Sequence, residues 1–179
     1  MTDQTTRAPA PSDRSSSGLL LGMVRACRPK QWAKNVLVFV APAAAGVITE
    51  ADILLHTVAG FVAFCMVSSA TYLLNDILDV ESDRQHPTKC RRPIAAGIVP
   101  VPLAVAMAVA LFAAGVALAA RDNLELAGIV AGYAVLTTTY SLFLKSVPVL
   151  DLVILSAGFI LRLLGGAYAK RKPMLVFAP

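Results

Sequence analysis

Apolar residues gather along the chain into five long runs, at roughly 33–49, 53–74, 101–120, 124–144 and 148–168. Each is close to the ~20 residues that a helix needs to cross a hydrocarbon core. The connections at 50–52, 121–123 and 145–147 have room only for tight turns, so neighbouring runs should pair as antiparallel hairpins. Pro42 interrupts the first run and predicts a kink there. Small residues within the runs, among them Gly60, Ser68, Ala70, Gly115, Gly165 and Gly166, allow helices to approach closely. The pattern predicts an all-α integral membrane protein, a bundle of about five transmembrane helices. Residues 1–18 are rich in Ser, Thr, Pro and charge and are expected to be disordered. They are not followed by the cleavage pattern of a signal peptide. The membrane domain then covers 19–170, and 171–179 forms a C-terminal stub.

Composition supports the membrane class. Of the 179 residues 57% are hydrophobic and 15% charged, whereas a soluble domain has roughly half and a quarter. The net charge is +5, but its distribution says more. Arg25, Arg28, Lys30 and Lys34 precede the first run, and Arg84, Lys89, Arg91 and Arg92 follow the second. Between those two runs lie only Glu50 and Asp52. This is the positive-inside pattern, and it puts the N-terminus and the 75–99 loop on the cytoplasmic side of the cell membrane. The same bases can also anchor on anionic lipid. Lys170, Arg171 and Lys172 follow the fifth run, on the side that five crossings would make external. The pattern points to a chain that stops at the start of a sixth run. Cys27, Cys65 and Cys90 are far apart and predict neither a disulfide framework nor a zinc site.

The connection at 75–100 is the exception among the short turns. It is long, highly charged and carries Pro87, Pro93 and Pro100, and such a loop is where chemistry can sit. It opens with Asn75, Asp76, Asp79, Glu81 and Asp83. If the second helix continues through it, at 100° per residue Asp79 lies about 60° from Asp76, and Asp83 about 20° from it on the same side. Asn75 joins that face, and Glu81 points nearly the opposite way. Three carboxylates on one face repel one another unless a cation sits among them. Mg²⁺ suits the position: it takes oxygen ligands, keeps several waters, and usually bridges a few carboxylates to phosphates. Arg84, Lys89, Arg91 and Arg92 follow directly and are suited to meet phosphate. His86, beside Pro87 and without a second His nearby, is expected to be structural.

A solvated helix end would account for one or two of these acids, but not for their common face. A secondary transporter would place ionisable groups near the bilayer midplane. Here only Arg162 falls inside an apolar run. A charge there is costly and faces a polar cavity.

Several stretches resemble those of the UbiA-type prenyltransferase superfamily. The run Asn75-Asp76-x-x-Asp79-x-x-x-Asp83 resembles its first Asp-rich motif. Arg28-Pro29-Lys30-Gln31-Trp32-Ala33-Lys34-Asn35 is similar to its opening motif, and His86–Lys89 with Arg92–Gly97 to the loop that follows the acids. Tyr140-Ser141-x-x-Leu144-Lys145 and Arg162-x-x-x-Gly166 resemble later stations. The order and spacing agree from about 25 to 168, and the spelling is most similar to the decaprenyl-phosphate phosphoribosyltransferase branch. The resemblance implies the first part of a bundle of about nine helices, without the second polar motif.

The resemblance also implies a function. The branch moves 5-phosphoribose from phosphoribosyl diphosphate to a polyprenyl phosphate, an early step toward cell-wall arabinan. The superfamily more often moves a prenyl group from its diphosphate to an aromatic acceptor. A noncatalytic fragment is a third reading. Asp76, Asp79 and Asp83 would be the catalytic acids and, with Asn75, would hold Mg²⁺. Lys89 and Arg92 would bind donor phosphates, and Lys34, Tyr140, Lys145 and Arg162 would add donor or lipid-phosphate contacts. Lys145 also reads as a snorkelling anchor, and Trp32 as an interfacial one. The implied partners are the diphosphate donor, a polyprenyl phosphate and the membrane. No nucleic acid is expected, and a homo-oligomer is left open.

Overall fold

The computed structural model describes residues 16–144 and 148–168. The expectations for 1–15, for Lys145 and for the 171–179 stub lie outside the described residues. Within them the chain is all α, with no strand.

The first helix, α1 (Ser16–Ala26), begins inside the stretch expected to be disordered. It stops where Arg28 turns left-handed, at φ 52°, and Pro29 opens a 3₁₀ segment over Pro29–Phe39. A five-residue helix α2 (Val40–Ala44), with Pro42 in it, completes this part. The expected first span over 33–49 is therefore not one continuous α-helix. A 3₁₀ helix rises about 2.0 Å per residue against 1.5 Å for an α-helix. Eleven residues thus reach about 22 Å, and every third side chain lies on one face.

The later runs are helical as expected. They are α3 (Ala51–Leu78), α5 (Val101–Asp122), α6 (Leu124–Thr139) and α7 (Pro148–Tyr168). The short helix α4 (Val80–Gln85) follows α3. Helices α3 and α5 are each long and apolar enough to cross a membrane. A π-helical turn, Tyr140–Leu144, extends α6 to the length of the fourth run. The side chain of Asn123 caps α6 by accepting from Leu126 N at 2.6 Å. At this same end His56 pairs with Asp122 and, at 3.3 Å, with Asp52.

Helix α3 is the axis of the bundle. It packs on α5, α6, α7 and the 3₁₀ segment. Between such helices in lipid, close packing replaces the hydrophobic drive, and glycines mark the closest approaches. A Cβ on Gly115 of α5 would lie 3.1 Å from the Ala63 carbonyl oxygen. One on Gly166 of α7 would run into the Val38 carbonyl oxygen. Phe64, Val67, Leu126, Val130 and Tyr133 fill one core. Ala26, Leu73, Ile94, Val99 and Ala104 fill a second beneath the acidic segment.

Candidate diphosphate site

The acidic segment is not one uninterrupted helix. Helix α3 ends at Leu78, Asp79 adopts φ −93°, ψ 6°, and α4 begins at Val80. Two bonds still keep the i→i−4 ladder through the break: Asp79 N to Asn75 O at 2.9 Å and Asp83 N to Asp79 O at 2.8 Å. Asp76 and Asp83 therefore stay on one side, and both are buried, at 2% and 1% exposure.

Two arginines meet those carboxylates. Arg28 Nη2 donates to Asp76 Oδ1 at 2.5 Å. Arg92 Nη1 donates to Asp76 Oδ1 at 3.2 Å and to Asp83 Oδ2 at 2.6 Å. The two negative charges are thus balanced by two positive ones, and buried carboxylates require such pairing. Each guanidinium is only partly covered, at 29% and 28% exposure. Each keeps further N–H donors beyond these bonds. Arg28 also lies over the Tyr72 ring, 4.8 Å from its centroid. Its left-handed backbone, directly before a proline, costs on the order of 1–3 kcal/mol in a non-glycine residue. The ion pair and the ring contact hold it there.

Asn75, Leu78, Asp79, Tyr140 and Ser141 line a cavity of about 220 Å³. The Asn75 Oδ1 atom is buried and has no hydrogen-bond partner among the described residues. An unpaired buried acceptor costs ~1–3 kcal/mol.

The expected metal set thus divides in two. Asp76 and Asp83 are committed to arginines, while Asp79 and Asn75 line the cavity with Tyr140. Among the described residues no three acidic, His or Cys side chains gather closely enough to hold a metal ion. In this structure the four residues of the expected stripe take this divided arrangement. Asn75 and Asp79 at the cavity are of a kind that could hold a cation shared with phosphate: Mg²⁺ usually binds through one or two carboxylates, the rest of its shell being phosphate and water.

Arg162 lies elsewhere. It is buried, and its Nε donates to Asn35 Oδ1 at 2.8 Å, its Nη1 to the Gly158 carbonyl at 2.9 Å and its Nη2 to the Tyr133 hydroxyl at 2.7 Å. These partners sit on the 3₁₀ segment, α6 and α7 itself, so the guanidinium ties three elements together. It is not part of the Asp76–Asp83 cluster. Lys34 and Lys89 are exposed, and neither forms an ion pair with a described carboxylate. His86 is structural: its Nδ1 accepts from Thr88 N at 3.2 Å and Lys89 N at 3.4 Å, shaping the turn.

The 3₁₀ segment connects the two places. Trp32 Nε1 donates to Ser69 Oγ at 3.0 Å, so its indole binds α3 and is not simply an interfacial anchor. Asn35 Nδ2 donates to Ser68 Oγ at 3.3 Å and Cys65 Sγ at 3.2 Å. Arg28, Trp32 and Asn35 thus step down α3 from Asp76 to Cys65. Burial pushes the Cys27 thiol above its usual range. Arg28, Asn35 and Tyr133 are the polar residues that sequence reasoning left without a role in the site. The Arg28-Pro29 pair was the available signal for the first, since a proline restricts the backbone of the arginine before it.

An all-helical membrane bundle with an acidic, arginine-held site at the end of its central helix is what the fold and site define. The UbiA prenyltransferase family model matches residues 36–178, and the chain belongs to that family. It is 47% identical over 152 residues to the decaprenyl-phosphate phosphoribosyltransferase of Corynebacterium glutamicum, covering 83% of this chain and 46% of the relative. It is 40% identical over 168 residues to the protein of that name from Mycolicibacterium smegmatis, covering 92% and 53%. The chain thus spans about half the length of these relatives. A solved structure of a digeranylgeranylglyceryl phosphate synthase superposes with a TM-score of 0.75 at 19% identity, covering 87% of this chain and 55% of that one. That likeness concerns the fold.

Proposed function

We propose that this chain carries the donor site of a membrane transferase that moves 5-phosphoribose from phosphoribosyl diphosphate to a polyprenyl phosphate. The observation that carries the reading is the cavity lined by Asn75, Asp79 and Tyr140 next to two arginine-held carboxylates. The names of the relatives support the choice of donor and acceptor. The cytoplasmic orientation of this end of the bundle belongs to the same proposal, since phosphoribosyl diphosphate is a polyanion that does not cross membranes unaided.

In this reading Asp79 and Asn75 would hold Mg²⁺ together with the donor diphosphate, and the ion would supply charge neutralisation for the leaving group when bound. Arg28 and Arg92 use their remaining N–H donors on the diphosphate oxygens. Asp76 and Asp83 are positioning residues, because they act by orienting the arginines. The bond from the anomeric carbon to the diphosphate breaks with its electron pair leaving on diphosphate. A lipid phosphate oxygen then forms the new bond to that carbon. The acceptor is already an anion, so no general base is needed. Lys34, Lys89, Tyr140, Lys145 and Arg162 remain proposed phosphate contacts of lower rank, and Arg162 acts mainly through the packing of α7.

The test is binding followed by transfer. The purified chain in lipid nanodiscs should bind phosphoribosyl diphosphate by calorimetry with MgCl₂ and not with EDTA. Membranes that contain the chain should move labelled ribose phosphate to added polyprenyl phosphate. Binding without transfer would mean that this chain holds the donor half of the chemistry alone. Absence of binding at millimolar donor would overturn the proposal, and prenyl transfer to an aromatic acceptor would replace it.

A further inference from the structure

Helix α1 has two faces that no role in the site explains. At 100° per residue, Leu19, Gly22, Met23 and Ala26 share one side, and Leu20, Leu21 and Val24 share the other, with Arg25 at its border. The first set is packed. Gly22 lies against Ile98 and Val99, where a Cβ would come within 2.7 Å of a side-chain carbon. Ala26, Leu19 and Met23 join the core built from Leu73, Ile94 and Val99. The second set stands outward, with Leu20 62%, Leu21 50% and Val24 55% exposed.

The level of this helix follows from its neighbours. The core that α1 joins includes Ile77 and Val80 at the end of α3 and Val101, Leu103 and Ala104 at the start of α5. Both of these helices are membrane spans by length and composition. The packed face of α1 therefore rests where the spans emerge from the hydrocarbon. Eleven residues amount to about 16 Å of helix, about half a hydrocarbon core, so α1 cannot cross. Exposed Arg25 borders its apolar face, and exposed Lys30 and Lys34 follow on the 3₁₀ segment, the kind of basic residues that accompany helices lying in the interface of anionic bilayers.

We infer that α1 is an interfacial helix whose Leu20–Leu21–Val24 face is seated in the acyl chains of an anionic leaflet. Its last residue, Ala26, is two residues from Arg28. Seating α1 on lipid thereby helps hold Arg28 in its left-handed turn against Asp76. The inference does not depend on which diphosphate the site takes.

Fluorescence quenching tests it in the full chain. The parent has one tryptophan, Trp32, which supplies the baseline. Leu21→Trp and Val24→Trp place probes on the outward face, where no packing has to break. Glu81→Trp, at a position 78% exposed on α4, is the aqueous reference. In nanodiscs with phosphatidylglycerol, the added emission at 21 and 24 should be quenched at least about twofold more by brominated acyl chains than by acrylamide. The order should reverse at 81. In discs of phosphatidylcholine alone the lipid quenching should weaken, and Arg25→Gln with Lys30→Gln should remove that lipid dependence. Acrylamide reaching 21 and 24 as readily as 81 would put α1 in water and overturn the inference. Shielding from both quenchers would overturn it too, by showing that protein covers this face. Equal quenching in the two lipids would overturn the anionic part.

Discussion

Arg92 is the residue on which the charge balance of the acidic segment turns, and removing it gives the sharpest test of the geometry. Its Nη1 is the only described cationic contact of Asp83, while Asp76 keeps Arg28 as a second partner. Arg92→Leu therefore leaves a carboxylate with 1% exposure facing no cation. Breaking a buried ion pair by removing one partner costs about 3–5 kcal/mol, most of it the uncompensated charge left behind. The Arg92 side chain is 28% exposed, and water can enter where it stood, so the lower end, about 3 kcal/mol, is expected. Asp83→Asn alone removes the charge but keeps an oxygen acceptor for Arg92, at a cost of about 1–2 kcal/mol.

The double variant separates charge from mere loss of packing. With Asp83→Asn and Arg92→Leu in one chain, no unpaired buried charge remains at this pair. The expected loss is then about 2 kcal/mol below the sum of the single losses, a coupling that neighbouring residues in one network commonly show. The measurement is reversible unfolding of the detergent-solubilised chain by sodium dodecyl sulfate, followed by circular dichroism. A wild-type midpoint for Arg92→Leu, or a double variant as unstable as the sum, would refute the argument that Asp83 is a charge held by Arg92.

Asn75→Ala should lower Mg²⁺-dependent binding of phosphoribosyl diphosphate at least about tenfold while leaving unfolding near wild type, because Oδ1 has no hydrogen bond to lose among the described residues; calorimetry and denaturation together check this. Gly166→Ala should destabilise by about 3 kcal/mol or more, since its Cβ would press on the Val38 carbonyl and neither backbone can yield cheaply. Gly128→Ala, with nothing within 4 Å, should leave the same unfolding midpoint unchanged or slightly raised. Arg28→Gly should unfold later than Arg28→Ala by about 1 kcal/mol, because glycine accepts φ 52° without strain and alanine does not; equal midpoints would deny that the backbone there is strained.

Most of the helices were legible because in lipid the length of an apolar run nearly decides the element. The common side of Asp76 and Asp83 was legible too, since it follows from 100° per residue and survives the break at Asp79. Their partners were not. Arg28 reaches Asp76 across 48 positions of sequence, and no local spacing records that. The apolar run at 33–49 misled for a different reason. Its length matched a span, but its polar and buried side chains follow a period of three: Trp32, Asn35, Val38. In an α-helix three such residues would drift over about 120°. In a 3₁₀ helix they fall in line, with Trp32 on Ser69, Asn35 on Ser68 and Val38 against Gly166. Asn35 faces both ways, donating to α3 and accepting from Arg162. The 3₁₀ segment therefore lies between the buried arginine of α7 and the arginine-held acids at the end of α3, and its pitch puts Trp32, Asn35 and Val38 in one register against α3 and α7.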